Sequence, residues 1–350
     1  MFHASRPMKI AYHFTIPKPP EPSLDAAIQD ALKLQQHFPG PLNYLYPVAK
    51  ATSLVPRFLC GLHQLFYLWQ IDQQVEIHHV YTNELYPYPI LFGWRKPIVM
   101  TVVASLKHGR RPWFARSLSP VTRFVTSNLP DQQRLEAWQL GTTVCIPPGI
   151  DLSRFEPTPP PSDLSFTLLA GSAPWHESQF ASKGVDLLLQ AAQKLPSLRL
   201  IFLWRGVLYE AMRQRVNQAG LSDRVEIINQ QVEVHQLLKR VHASIVLAKT
   251  PSLIKAYPHS LLESLAAGRP ILISMGLAMA DYTVQNGCGL IVPDFELDTL
   301  LDRLTRLQQN YQAYQKQTQT VDLQAFSVDN LVNAYSALYE DVKHETNYEL

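Results

Sequence analysis

The residues with the clearest chemical potential lie between positions 251 and 270, PSLIKAYPHSLLESLAAGRP. The stretch follows an apolar run, SIVLA (244–248), that reads as a strand. Pro258 and Ser260 open a helix that Gly268 closes, and Pro270 starts the next strand. The first-turn amides of Ser260, Leu261 and Leu262 are expected to lack intrahelical acceptors and to stand at the positive end of the helix dipole. That makes an anion site just beyond a strand's carboxyl end. Glu263, one turn in, could take two ribose hydroxyls. Ser260-x-x-Glu263 is also the pattern of a capping box, which needs no ligand. A second candidate is SKGVDLLLQAA (182–192), where Lys183 and Gly184 precede a helix. An ammonium beside helix-start amides suits a diphosphate. The competing reading of Lys183 is a solvated lysine at a helix start.

These residues need a scaffold. In the second half, FTLLA (166–170), RLIFLW (199–204), RVEII (224–228), SIVLA, PILIS (270–274) and GLIVP (289–293) read as strands. Helical patterns at 184–195, 207–219, 233–241, 260–267 and 278–286 alternate with them. Buried apolar runs separated by amphipathic ones predict βαβ units around a parallel sheet covered on both faces. The first half repeats this less cleanly. Strands are expected at MKIAYHF, VEIHHVY, PIVMTVVA, RFVTS and TTVCIPP, and helices at 24–37, 55–70 and 130–139. The proline run EPTPPPSD (156–163) reads as an extended linker. An amphipathic helix is expected over 327–343, with Leu331, Ala334, Tyr335, Leu338 and Val342 on one side. The expected fold class is α/β: two doubly wound domains with a ligand site in the cleft between them.

Composition removes several classes. Of the 350 residues 46% are hydrophobic, enough for a sizeable core. Lys+Arg (31) nearly balance Asp+Glu (29), which argues against a bulk nucleic-acid binder. Proline is abundant (27) and glycine sparse (14), which counts against an ordinary glycine-loop nucleotide binder. Cys60, Cys145 and Cys288 are far apart and form no CxxC pair, so neither a disulfide framework nor a cysteine zinc site is expected. Adjacent His78 and His79 face opposite sides of a strand and cannot easily share a metal. His235 and His242, seven apart on an expected helix, have no carboxylate–histidine pattern beside them. There is no G-x-S-x-G and no complete GxGxxG, which excludes serine-hydrolase and NAD-oxidoreductase readings. With no signal-peptide core and no membrane-span run, the expectation is a cytoplasmic protein.

Four segments taken in order resemble the GT-B glycosyltransferases, specifically the large family 4 of retaining nucleotide-sugar enzymes. They are IPPGIDLSRFEP (146–157), SKGVDLLLQAA, the PHSLLESLAAGRP stretch (258–270) after its strand, and NGCGLIVP (286–293). The resemblance covers roughly 120–300 and is weak over the first 110 residues. It implies transfer of a sugar from a nucleotide-diphosphate sugar to an acceptor hydroxyl, without a metal or other cofactor. It places Glu263 on the donor ribose and the Ser260 and Leu261 amides around the diphosphate. Lys183 falls on that diphosphate and Gly171 at the strand-end glycine of the donor site. It implies an acceptor-side domain over 1–155, a donor domain over 156–326, and a helix over 327–350 that returns to the first domain.

The sequence also departs from that pattern. The first glutamate of the family's E-x7-E motif is Lys255, a reversal of charge, and Ser172 stands where an arginine is common. Lys255 and Lys183 become the expected catalytic cations, Lys255 taking over from the missing arginine at the diphosphate. TIPKPPEPS (15–23) replaces the family's glycine-rich loop, Val103 or Ala104 replaces a strand-end histidine, and His108 is out of register. The alternative function is a nucleotide-sugar-binding or scaffold protein on the same fold, without turnover. KHGRRPWFARS (107–117) mixes four cations with Trp113 and Phe114, which suggests peripheral contact with an anionic membrane.

Overall fold

The computed structural model describes residues 7–19, 25–47, 56–106, 109–161, 165–204 and 208–348. The chain forms two compact units, Met1–Gly149 with Val328–Leu350, and Ile150–Ser327.

The first unit runs β1 (Ile10–Phe14), α1 (Ala26–His37), β2 (Leu42–Tyr44), α2 (Leu65–Asp72), β3 (Ile77–Thr82), β4 (Ile98–Val102), β5 (Arg123–Thr126), α3 (Leu129–Ala137) and β6 (Thr143–Cys145). Its parallel six-stranded sheet has the order β2-β1-β3-β4-β5-β6. Asp25 caps α1 by accepting from Ala27 N and Ile28 N, and Asn128 caps α3 by accepting from Asp131 N. The helix expected over 55–70 is two short 3-10 turns, Arg57–Leu59 and Leu62–Gln64, followed by α2. Gly61 between the turns has φ 83°, a left-handed conformation that interrupts a continuous helix.

The second unit runs β7 (Phe166–Ala170), α4 (Gln179–Ser182), α5 (Val185–Lys194), β8 (Leu198–Leu203), α6 (Tyr209–Gln218), β9 (Val225–Ile228), α7 (Val234–Leu238) and β10 (Ala243–Val246). It continues with α8 (His259–Ala266), β11 (Ile271–Ser274), α9 (Ala278–Asn286), β12 (Gly289–Val292), α10 (Leu297–Gln309) and α11 (Tyr311–Thr318). The parallel sheet has the order β12-β11-β10-β7-β8-β9. One face packs under α4, α5, α6, α10 and α11 through Leu168, Leu200, Ile245 and Leu272. The other packs under α7, α8 and α9 through Leu169, Ile201, Val246 and Ile273.

The last helix, α12 (Val328–Tyr348), belongs to the first unit. It presents Leu331, Tyr335, Leu338, Tyr339 and Val342 to a core shared with β1, β3, β4 and α1. Tyr339 Oη lies 2.6 Å from His79 Nδ1, and Tyr335 Oη 2.8 Å from Thr101 Oγ1.

His78 points to the opposite face of the sheet. Its Nε2 donates to Asp72 Oδ1 at 3.0 Å, and its Nδ1 lies 2.9 Å from His13 Nε2. Asp72 also accepts from the amides of Arg95 and Lys96. With the His78 proton fixed on Nε2, His13 Nε2–H must be the donor, so His13 Nδ1 is left as a bare, buried acceptor. His78 stacks on Trp94 at 4.2 Å between ring centres. The two adjacent histidines therefore serve separate cores.

The sequence boundary at 155/156 falls inside the second unit, six residues past the observed break at Gly149/Ile150. Ile150 N donates to Phe326 O at 2.7 Å, and Ile150 bridges Ser327 in parallel. The proline run is not free either. Arg269, fully buried, donates from Nη1 to Thr158 O, from Nη2 to Thr158 Oγ1 and Pro159 O, and from Nε to Leu238 O, at 2.8–3.0 Å. Residues 162–163 of the run lie outside the described residues. Burial pushes the thiols of Cys60, Cys145 and Cys288 up to about 11, so none offers a thiolate near neutral pH. Among the described residues no helix is long and apolar enough to cross a membrane.

Candidate functional site

In the second sheet the chain starts at β7, winds to one side through β8 and β9, then returns to lay β10, β11 and β12 on the other side. The switch point lies between β7 and β10, and ligands of doubly wound sheets bind outside the carboxyl ends of the strands at such points. Gly171 directly follows β7, and the 247–258 connection leads from β10 into α8. The two segments meet here. A Cβ built on Gly171 would lie 2.7 Å from Ser260 Cβ and 2.8 Å from its Oγ. Only glycine lets the β7 loop approach the start of α8 this closely. Gly171→Ala is expected to displace the helix start and to destabilise the unit by about 1–2 kcal/mol through overpacking. The readout is a lower denaturant midpoint at an unchanged slope.

Lys183 joins the same place. It follows α4, and Gly184 in a left-handed conformation (φ 70°) begins α5. The lysine is not solvated: only 8% of its surface is exposed. Its Nζ donates to Ala173 O at 3.1 Å, on the loop that Gly171 opens. A side chain at position 184 would sit 2.7 Å from Leu247 Cβ, so Gly184 holds the Lys183 turn against the segment leaving β10. Lys183 and Gly171, twelve residues apart, thus converge with the distant Ser260 from the ends of α4 and β7 and the start of α8.

The start of α8 differs from the sequence expectation. The helix begins at His259 with Pro258 as its cap residue, one position earlier than expected. Ser260 is therefore at the second helical position and forms no capping box. The amides of Leu261 and Leu262 both donate to Pro258 O, at 3.0 and 3.2 Å. Leu261 and Leu262 accordingly do not offer the free amides expected of them. The Ser260 N–H has no acceptor among the described residues. Leu261, Leu262 and Leu265 face the core, whereas Ser260 and Glu263, three apart, share the half-exposed side. Lys255, also half-buried, lies on the connection between the 3-10 turn Pro251–Leu253 and α8.

Other expectations resolve differently. His242 lies beyond the end of α7, buried, with Nδ1 accepting from Thr167 N at 3.1 Å. It lines a cavity of about 520 Å³ with Ser165, Phe166 and Tyr311, at the amino-terminal edge of β7 and away from the switch point. His108 and Lys107 lie outside the described residues, as do residues 20–23 of the proline-rich segment 15–23. Among the described residues no three His, Cys, Asp or Glu side chains group as a metal site. Sequence reasoning missed Arg269, which fixes the exit of α8, because a lone arginine after a glycine reads as a surface residue.

Comparison with known proteins bears on this geometry. No curated protein matches the sequence. Among solved structures, a glycosyltransferase from Rickettsia africae superposes with a TM-score of 0.67 at 13% identity, covering 96% of this chain and 99% of that one. Alr3699/HepE from Anabaena, solved with UDP and glucose, gives 0.67 at 14% identity, covering 95% and 99%. A sucrose-phosphate synthase from Thermosynechococcus elongatus gives 0.66 at 13% identity, covering 95% and 99%. The family model described as glycosyl transferases group 1 matches residues 178–321, the stretch that carries Lys183, Lys255, Ser260 and Glu263. The chain has the GT-B fold, and residues 178–321 of its second unit match the model of glycosyl transferases group 1.

Proposed function

We propose that the chain transfers a glycosyl group from a nucleotide-diphosphate sugar to an acceptor hydroxyl, with retention of configuration and without a metal. The observation that carries this reading is the convergence of Gly171, Ser260 and buried Lys183 at the switch point of the second sheet, inside and beside the matched segment. As the sugar–diphosphate bond breaks, negative charge grows on the leaving diphosphate. The Lys183 ammonium and the Ser260 amide are preorganised to stabilise that charge. Glu263, on the same side of α8 as Ser260, takes the ribose hydroxyls. Leu261 has no place in this assignment, because its amide is engaged within the helix. UDP is the first nucleotide to try, since HepE was solved with UDP and with UDP-glucose.

The test is thermal stability against UDP, GDP, ADP and CMP and their sugars, with and without chelator. A nucleotide at 100 times its dissociation constant adds about 2.7 kcal/mol and raises the midpoint visibly. Glu263→Ala is expected to weaken that nucleotide about tenfold or more, the loss of charge-assisted hydrogen bonds. No shift with any nucleotide would sink the proposal. A shift abolished by chelator would remove the metal-free part of it.

Lys255 favours a second reading, in which the nucleotide sugar is bound but not turned over, because a cation replaces the carboxylate of the family motif. Incubation with the bound donor separates the two: release of free nucleotide, with or without acceptor, supports the enzyme. Stable binding with no release supports the binding protein.

A further inference from the structure

We propose that one face of the first unit docks on an anionic lipid bilayer. The segments 57–72, 89–93 and 109–118 all cover the same side of that unit's sheet, packing on a core that includes Val80, Met100, Leu91 and Leu118. Their outward sides are also apolar. Phe58, Leu65, Phe66, Trp69, Phe92 and Trp113 are between 45% and 90% exposed. Helix α2, LFYLWQID, turns Leu68 and Ile71 inward and Leu65, Phe66 and Trp69 outward. A helix apolar on every side is one that is covered on every side.

The segments are contiguous. A Cβ on Gly61 would lie 3.0 Å from Ile90 Cγ1, the Tyr86 and Phe114 rings are 6.1 Å apart, and Arg57 pairs with Glu84 at 3.0 Å. This joins the 57–61 turn to 84–90 and the latter to 114.

Charge selects the occupant. From residue 85 to residue 130 the sequence has seven Lys/Arg and no Asp or Glu; of the seven, Arg123 pairs with Glu345 on α12 and Lys107 lies outside the described residues. The acids just before that stretch are committed. Asp72 is buried on His78 and two amides, Glu76 pairs with Lys343 at 2.7 Å, and Glu84 pairs with Arg57. Arg110, Arg111 and Arg116 stand exposed beside Trp113. Aromatic rings interleaved with guanidinium groups suit the headgroup boundary, where the ring enters and the cation meets phosphate. A two-fold contact with a second copy would set these arginines against themselves.

Co-sedimentation of the full chain with phosphatidylcholine vesicles, with and without phosphatidylglycerol, tests this. Binding to the anionic vesicles is expected to exceed binding to neutral ones by about tenfold or more and to weaken as salt is raised. The double substitution Phe66→Ser with Trp69→Ser, at exposed positions, is expected to lower binding to anionic vesicles about tenfold. Arg110→Glu with Arg111→Glu is expected to erase the preference for the anionic ones. Brominated lipid should quench tryptophan fluorescence of the unsubstituted protein, a readout that needs no variant. If the folded protein stays in the supernatant with anionic vesicles, the proposal is overturned. It is equally overturned by a concentration-dependent oligomer that the Phe66/Trp69 substitution disperses, which would assign the face to a protein contact. Nucleotide binding reads the second unit and vesicle binding the first, so the two proposals stand or fall separately.

Discussion

Replacing Arg269 with leucine is expected to destabilise the second unit by about 3–4 kcal/mol. The guanidinium donates to four oxygens, three of them main-chain carbonyls, and all four acceptors are neutral. Removing it takes from the Pro159 carbonyl its donor and leaves the Thr158 and Leu238 carbonyls with only the long bonds from Gln315 Nε2 and Val241 N, each 3.5 Å. Relief of the cation's own desolvation offsets part of the loss, which is why the figure stays below the sum of four charged hydrogen bonds. For a unit of this size the midpoint should fall by about 10 °C. Arg269→Lys is not a rescue, because one ammonium cannot span the planar fork that reaches Leu238 on one side and Thr158 on the other. A calorimetric scan in which the leucine variant melts with the unsubstituted chain would show that water replaces the arginine without cost.

Acidification is expected to weaken the first unit by about 3 kcal/mol between pH 7.5 and 5.5. Burial holds His79 down to about 3. Burial, then the charges of His78 and His79, hold His13 well below its ordinary value. Both histidines are thus neutral in the folded chain, whereas unfolded histidines take up protons near pH 6.5. Below that value the unfolded state binds protons that the folded state refuses. Stability is therefore complete above the unfolded value and is lost as pH falls toward the folded values. His78 adds in the same direction: burial lowers it more than its bond to Asp72 raises it. Urea titrations at the two pH values measure the difference. His13→Phe removes one of these refused protons and should lower the slope with pH by about a third to a half. A slope unchanged by that substitution would place the acid sensitivity elsewhere.

The second unit was the more legible half. Its strands are buried on both faces, so FTLLA, SIVLA and PILIS appear as unbroken apolar runs, and each forms at or within two residues of the expected place. The first unit hid β2, a three-residue edge strand held by one neighbour. The segment over 55–70 hid its break because the left-handed turn at Gly61 leaves no trace in apolar spacing. Helix α10 was overlooked although Leu297, Leu300, Leu304 and Leu307 carry the helical interval. At the candidate site, the residue types at 183, 260 and 263 pointed to an anion and a ribose. The burial of Lys183 and the contact of Gly171 with Ser260 were not readable, because both are set by the crossover that puts β10 beside β7. The same holds for the Asp72–His78–His13 chain, whose members come from three separate elements.

The return of α12 to the first unit has a consequence for the order of events at the ribosome. Residues 150–327 are continuous and can assemble as soon as they have emerged. The first unit is made earlier, yet it waits. Its sheet face carrying Tyr12, Val99 and His79 is covered only in part by α1 until Leu331, Tyr335 and Tyr339 are synthesised. The part translated first is therefore completed last. Throughout synthesis of the second unit, the part of that apolar face which α1 does not cover is left exposed, the kind of surface that chaperones hold.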